Sequence, residues 1–149
     1  MTALAEATLD TSIWIPYLRT RRYAATVDSL VAAGRVWVST VALLELYAGT
    51  RSRDDELAVD DLAGAARRMG RVVYPSEMDF KLAGQILAYH GRHHGSLRPR
   101  DHSHDLLIAI SGARTGSVLF TENLKDMRRW SEALARRAGL RVRVLCPPV

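Results

Sequence analysis

The chain of 149 residues is long enough for one domain with a substantial hydrophobic core, and we predict a single domain over residues 1–149. Its 21 Lys and Arg exceed its 16 Asp and Glu, and the net charge of +5 favours an anionic partner without identifying it. The single cysteine, Cys146, excludes an intrachain disulfide and a cysteine metal cluster. With no apolar run of membrane-spanning length and no signal-peptide pattern in residues 1–9, we predict a cytoplasmic protein with no membrane association.

The first predicted element is a short strand that ends in an acid. Residues 5–10 are largely apolar and stop at Asp10, after which Ser12 precedes apolar residues at helical spacing over 13–18. The simplest interpretation is a strand, an aspartate at its carboxyl end, and then a capped helix. Asp10 is therefore the first acid of interest.

The second acid of interest is a glutamate in a strongly apolar helix. A second amphipathic helix ends at Gly34, a strand covers residues 35–38, and the third helix begins at Ser39 or Thr40. Glu45 is the charged residue of this core-like helix. A charge there is costly unless it faces a polar site or another ion. The alternative is that Glu45 occupies the one solvent-facing stripe of the helix.

The middle of the chain predicts two helices, a strand and a loop. The charged run at 51–61 is typical of an exposed helix start, and residues 71–75 form the third strand. Ser76 and Asp79 then open a helix in the manner of a capping box. Its predicted buried face consists of Phe80, Leu82, Ile86, Leu87 and Tyr89. Periodicity is lost over 91–103, which predicts a loop.

The last third of the chain supplies another acid and two strands. Asp105 precedes an apolar run about two turns long, so we predict a first-turn residue of a buried helix, near the positive end of its dipole. A buried strand follows and stops at Thr121, and a further helix covers about 125–138. Apolar residues alternate with arginines over 140–145, which predicts an edge strand.

Strands that alternate with helices predict an α/β fold with a parallel sheet and helices on both faces. In such sheets, functional sites form outside the carboxyl ends of the strands. We therefore expect four carboxylates at one edge of the sheet: Asp10, Glu45, Asp105 and Asp126.

Acids gathered in this way indicate a metal site. Carboxylates without matching Lys or Arg repel one another, which raises their pKa values and destabilises the fold. A divalent cation relieves the repulsion, and oxygen ligands favour Mg²⁺ or Mn²⁺ over zinc. Such ions activate water and stabilise in-line displacement at phosphorus. Together with the basic charge, this pattern predicts phosphodiester hydrolysis.

Four segments that contain these acids resemble the acidic motifs of PIN domains, and the length is similar to that of VapC-type toxins of bacterial toxin–antitoxin modules. The segments are Leu9-Asp10-Thr11-Ser12, Val41-Ala42-Leu43-Leu44-Glu45-Leu46, His104-Asp105-Leu106-Leu107-Ile108-Ala109 and Phe120-Thr121-Glu122-Asn123-Leu124-Lys125-Asp126-Met127. The resemblance implies a single PIN-like three-layer α/β domain, with a central parallel sheet of about five strands in the order 3-2-1-4-5 and helices on both faces. It also implies a Mg²⁺-dependent endoribonuclease, for which Mn²⁺ can substitute, that acts on RNA as a toxin, is inhibited by its cognate antitoxin and forms a homodimer.

The resemblance also suggests roles for individual acids. Asp10, Glu45 and Asp105 match the three core acids, and Asp126 matches the fourth. We hypothesise that Asp10, Asp105 and Asp126 bind the metal, while Glu45 adds a ligand or orients the attacking water. All four are candidate catalytic residues. Some members place the fourth acid at the position of Asn123, so the choice between Asp126 and Asn123 stays open.

Hydroxyl and amide residues of the same motifs are candidates for a supporting shell. They are Thr11, Ser12, Thr121 and Asn123. The match is imperfect at Met127, where the family usually has Phe.

Three other patterns leave alternatives open. His90 and His94 have the i,i+4 spacing of helical zinc ligands, although no accompanying Glu motif is present. The six arginines between Arg128 and Arg143 form either a solvated face or a phosphate-binding surface. A non-catalytic α/β nucleic-acid-binding or regulatory module is the alternative function, but it would not need Glu45. The three tryptophans are interpreted as core or interface residues.

Overall fold

The computed structural model describes residues 5–95 and 98–149. The start of the predicted N-terminal segment, residues 1–4, and residues 96–97 of the predicted loop lie outside the described residues. The described elements are β1 (Ala7–Leu9), α1 (Thr11–Thr20), α2 (Ala24–Ala32), β2 (Val36–Ser39), α3 (Thr40–Ala48), α4 (Arg53–Arg68), β3 (Val72–Val73), α5 (Glu77–His94), α6 (Pro99–Thr115), β4 (Val118–Phe120), α7 (Leu124–Ala138) and β5 (Arg143–Leu145). Within these ranges, no helix is both long enough and apolar enough to cross a membrane.

All neighbouring strands of the five-stranded sheet are parallel, in the order β3-β2-β1-β4-β5. The central strand is β1, in which Thr8 lies opposite Trp37 of β2 and Leu119 of β4. This arrangement confirms the predicted α/β three-layer fold and its strand order. Because the strands are parallel, their carboxyl ends meet at one edge of the sheet, and the end of β1 lies at the middle of that edge.

The core lies between the sheet and its helices. The apolar run of α6, residues 106–110, is fully buried, and α6 contacts β1, β2 and β4. Trp14 and Trp130 are completely buried, as predicted. Trp37 is half-buried, and its Nε1 donates to Glu6 Oε2 at 2.7 Å. The predicted edge strand is confirmed as well, since Val144 is buried and Arg143 exposed on the outermost strand.

The capping box of α5 forms as predicted. The Ser76 hydroxyl accepts from the Asp79 N–H at 3.1 Å, and the Asp79 carboxylate accepts from the Ser76 N–H at 3.1 Å. The predicted buried face of this helix is only partly right, because Phe80 and Tyr89 are 57% and 46% exposed. Periodicity identifies an apolar face but not how much of it a neighbouring helix covers. These two side chains lie beyond the covered stripe.

The loop predicted over 91–103 is wrong at both ends. Helix α5 continues to His94, and α6 already begins at Pro99. A glycine such as Gly91 costs a helix only about 1 kcal/mol, and proline is favoured at the first helical position. Asp105 consequently lies in the second turn of α6, not the first, so the predicted position near the positive end of the helix dipole was wrong.

Candidate active site

Asp10 occupies the middle of the carboxyl edge of the sheet. It follows β1 directly and forms the N-cap of α1, where its Oδ1 accepts from the Thr11 N–H at 2.8 Å. The hydroxyls of Ser12 and Thr121 donate to its Oδ2 at 2.9 and 2.8 Å. With an exposed fraction of only 3%, the carboxylate is held in one orientation. The structure therefore places Thr11, Ser12 and Thr121 around Asp10, where the sequence predicted a supporting shell.

Thr121 connects Asp10 to the segment that follows β4. Its fully buried hydroxyl donates to Asp10 and accepts from the Asn123 N–H at 2.9 Å. Ser12 makes a parallel connection, because its hydroxyl donates to Asp10 and accepts from the Glu122 N–H at 2.9 Å. Two hydroxyls thus fix the loop from Thr121 to Asn123 against the first acid.

Replacing Thr121 with valine should weaken both the fold and the site. Valine keeps the shape but leaves a buried Asp10 oxygen and the Asn123 N–H without this partner, which costs about 2 kcal/mol. In a domain of this size the loss lowers the Tm by about 6 °C. Loss of an outer-shell partner also costs roughly 10- to 100-fold in activity. Thermal unfolding measures the first effect, and an assay of the activity proposed below measures the second. Thr121→Ser, which keeps the hydroxyl, should restore both, and equal losses in the two variants would contradict the interpretation.

Asp105 faces the other acids without a cation of its own. Burial and the negative charges of Asp10, Glu45 and Asp126 raise the pKa of its carboxyl from 3.8 to about 7. The Asn123 amide is its recorded hydrogen-bond donor, at a long 3.4 Å from Oδ2. Burial together with the neighbouring acids therefore disfavours the charged form of Asp105.

Glu45 reaches the same cluster from α3. Its side chain is 31% exposed, but Oε1 is buried and has no hydrogen-bond partner among the described residues. Burial and the charge of Asp10 raise its pKa, while His104, whose Nδ1 lies 4.0 Å from Oε1, opposes the shift. The solvent-facing position of this helix is occupied by Leu44, which is 58% exposed. Glu45 thus faces the acids, and Leu44 does not belong to the core.

Asp126 lies in the first turn of α7, across from Asp105. The Asn123 amide nitrogen lies 3.4 Å from Oδ2 of both Asp105 and Asp126. Arg129 Nη2 donates to the other oxygen of Asp126 at 2.9 Å. The expectation that the acids lack a matching base is therefore wrong for Asp126.

The donor set fits a hard divalent cation in its chemistry, although the side chains are not arranged around one. In the part of the chain that the structure describes, no three His, Cys, Asp or Glu side chains are grouped so that they could hold a metal ion. Both oxygens of Asp10 accept hydrogen bonds. The unpartnered oxygen of Glu45 and the raised pKa of Asp105 are nevertheless the features that bound positive charge would relieve.

The histidine pair gives no support to a zinc site. The rings of His90 and His94 stack with their centroids 4.7 Å apart and an interplanar angle of 30°. Over the described ranges there is no group of three potential ligands that includes them. Their stacking on one helix face indicates a packing or contact surface.

Sequence reasoning missed two residues of the site. Arg129 is three residues after Asp126 on one helix, a spacing at which opposite charges meet, so the pattern could have revealed it. His104 approaches Glu45 only because α3 packs against α6. The contact between His104 and Glu45 therefore could not be predicted from the neighbouring sequence of either residue.

The fold and the site define an α/β domain with an acidic cluster at the carboxyl edge of a parallel sheet. The sequence matches the PIN domain family over residues 7–133, and the chain belongs to this family. A comparison with curated proteins gave no match.

Solved structures share this fold at low sequence identity. DNA-bound VapBC from Salmonella typhimurium is 23% identical with a TM-score of 0.62, over 96% of this chain and 100% of that one. FitAcB from Neisseria gonorrhoeae is 20% identical with a TM-score of 0.65, over 95% and 97%. VapBC-1 from nontypeable Haemophilus influenzae is 21% identical with a TM-score of 0.63, over 94% and 96%.

Proposed function

We propose that residues 1–149 form one PIN nuclease domain that hydrolyses RNA phosphodiester bonds as a divalent-metal-dependent endoribonuclease. The observation that carries the proposal is the convergence of Asp10, Glu45, Asp105 and Asp126 at the carboxyl edge of the sheet, where Asn123 Nδ2 lies 3.4 Å from Oδ2 of both Asp105 and Asp126. A stable fold has no use for such an arrangement unless a bound cation offsets it. The chain's net charge of +5 supports an anionic substrate.

Asp10, Asp105 and Asp126 are the proposed ligands of Mg²⁺, for which Mn²⁺ can substitute. All are oxygen donors, and a hard cation of this kind commonly keeps waters and binds phosphate. When bound, the ion supplies water activation and charge stabilisation during displacement at phosphorus. Asp10 is kept in place by its hydroxyl donors, so it serves as the fixed point of the site.

Glu45 and Asn123 are proposed to act beside these ligands. Among the described residues Glu45 Oε1 has no hydrogen-bond partner, with His104 Nδ1 at 4.0 Å, and the carboxylate is proposed to orient the attacking water or to accept its proton. The Asn123 amide nitrogen lies between Asp105 and Asp126 and holds their facing oxygens together. Glu45, Asp10, Asp105 and Asp126 are thus the proposed catalytic set, with Thr11, Ser12, Thr121 and Asn123 in support.

The biological role that we propose is that of a toxin inhibited by a cognate antitoxin protein. Support comes from the structural similarity to the VapBC and FitAcB proteins, together with membership of the PIN family. An RNA substrate and the single cysteine favour the cytoplasm as its location.

We also propose a homodimer. The exposed apolar side chains of Leu44 and Phe80 line a groove of about 300 Å³ between α3, α5 and α6. Contiguous exposed apolar surface of this kind is typical of protein interfaces. Burial of Leu44 and Phe80 against a second copy would remove it from water.

Cleavage of total RNA and transfer RNA by the purified, antitoxin-free protein tests the activity. We expect cuts with Mg²⁺ or Mn²⁺ and none with EDTA. RNA binding that survives EDTA, without turnover in Mg²⁺, would contradict the proposal and favour the non-catalytic nucleic-acid-binding module.

A further inference from the structure

A basic groove lies beside the acidic cluster, between α5 and α7. Its volume is about 720 Å³. Three arginines of α7 line it, Arg129, Arg136 and Arg137, against a single acid, Glu132. The ion pair between Arg136 and Glu132 is long, at 3.4 Å, and both side chains are highly exposed, so the pair is weak. Arg129 is paired with Asp126, so the positive charge available to a ligand comes from Arg136 and Arg137.

The groove begins at the acidic cluster. Arg129 lines the groove and also donates to Asp126, so one side chain belongs to both places. From Asp126, the helix carries Arg136 and Arg137 about 15 Å further along its axis. A ligand in the groove would therefore pass directly from the arginines to the acids. That length accommodates several phosphates of a nucleic-acid strand.

The opposite wall, formed by α5, presents aromatic rings. Tyr89 is 46% exposed and stacks on His93 with ring centroids 4.2 Å apart, and it lines the groove. His90 and His94 stack on one another one position further round the helix and line the same cavity. Burial and neighbouring positive charges lower the pKa of His90. Tyr89 supplies a flat surface within reach of solvent.

We propose that this groove binds the single-stranded RNA segment that leads to the cleavage site, with phosphates on Arg136 and Arg137 and a base stacked on Tyr89. The inference rests on the proposed ribonuclease function and extends it to the path of the substrate. A basic track with aromatic rings beside it is how proteins bind single strands with little sequence preference. An acidic protein segment would use the arginines but would gain less from an exposed aromatic ring.

The arginines can be tested with a closely matched control. Arg136 and Arg137 are adjacent in the last turn of α7, and Arg67 and Arg68 are likewise adjacent in the last turn of α4, outside the groove. Binding of fluorescein-labelled oligouridine is measured by anisotropy in EDTA, where cleavage is blocked, at several salt concentrations. We expect Arg136→Ala/Arg137→Ala to weaken binding about tenfold and to reduce the salt slope by about 1.4, or about 0.7 for each lost phosphate contact. Arg67→Ala/Arg68→Ala should bind like the wild type.

The aromatic wall is tested separately. Tyr89→Ala should weaken oligouridine binding about tenfold, whereas Tyr89→Phe keeps the stacking surface and should bind normally. Unchanged Tm values will show that these exposed positions do not affect folding.

Each result has a distinct meaning. Equal losses in the two arginine pairs would reveal general charge attraction and overturn the groove. Wild-type oligouridine binding by both groove variants, with weakened binding of a polyglutamate peptide, would assign the groove to an acidic protein and also overturn it. The proposed function fails on different data, namely the absence of Mg²⁺-dependent cleavage by the wild type, whatever the binding in EDTA.

Discussion

Replacing Asp105 with asparagine is expected to abolish RNA cleavage and, at the same time, to stabilise the metal-free protein. Loss of an outer-shell partner alone commonly costs 10- to 100-fold, so loss of a proposed metal ligand should cost about 1000-fold. Asparagine keeps the size of the side chain but removes the charge that Asp10, Glu45 and Asp126 oppose. Removal of a charge that is disfavoured first by burial and then by the neighbouring acids is worth about 2 kcal/mol near pH 8, after discounting for partial exposure, or about 6 °C in Tm.

Opposite signs of the two effects make this test specific. A variant that merely damaged the fold would lose activity and stability together. Asp101→Asn is the matched control, because Asp101 is an exposed acid one turn earlier on α6 and the chemical change is identical. Activity is measured in Mg²⁺ and Tm in EDTA. Cleavage by Asp105→Asn at the wild-type rate would remove Asp105 from the proposed catalytic set.

The parts of the site that the sequence predicted are those with local signals. Asp10 follows a short apolar run and precedes a helix, so its place after β1 depends on neighbouring residues alone. Asp126 has the same advantage, since it lies in the first turn of the helix after β4. Alternation of strands and helices then brings the two together, because parallel strands end at one edge.

The parts that the sequence did not predict depend on packing between distant elements. The boundary between α5 and α6 was misplaced because Gly91 and Pro99 are helix breakers in most contexts, yet here one is tolerated and the other begins a helix. The contact of His104 with Glu45 requires α3 to lie against α6. Leu44 is exposed because the elements packed against α3 do not cover it. The periodicity of α3 alone cannot predict which of its apolar residues are covered.

The arginine run shows the same division between local and tertiary information. Composition predicted either a solvated face or a phosphate-binding surface over 128–143. The structure separates its members, because Arg129, Arg136 and Arg137 line the groove. Arg143, in contrast, lies exposed on the edge strand. The position of Arg129, Arg136 and Arg137 on one helix follows from the sequence, but the groove that they line forms only because α5 packs against α7.

The stability of the metal-free protein is expected to fall as the pH rises from about 4 to 7, and Asp105 is the main cause. In the unfolded chain its carboxyl loses its proton near pH 3.8, whereas in the folded protein the pKa is about 7. Between these values the folded state binds more protons at Asp105 than the unfolded state does, so the contribution of this carboxyl to stability is fully present below about pH 4 and is lost as the pH rises towards 7. Above pH 7 both states are ionised and the loss stops.

The difference in unfolding free energy between the wild type and Asp105→Asn isolates this effect. Urea unfolding in EDTA should show the wild type losing about 2 kcal/mol relative to Asp105→Asn between pH 4 and pH 8, a value discounted for partial exposure. Glu45, whose pKa is also raised, is present in both proteins, and its shift comes from burial and from Asp10. Asp101→Asn should follow the wild type at every pH.

Added Mg²⁺ turns the same measurement into a test of metal binding that does not depend on activity. If Asp105 is a ligand, the bound cation favours the ionised carboxylate, so saturating Mg²⁺ should abolish the loss of stability between pH 4 and 7 in the wild type. Asp105→Asn should gain far less stability from the ion. A decline that persists unchanged in Mg²⁺ would mean that the repulsion at the carboxyl edge is relieved by something other than a metal, such as a basic side chain of a bound partner.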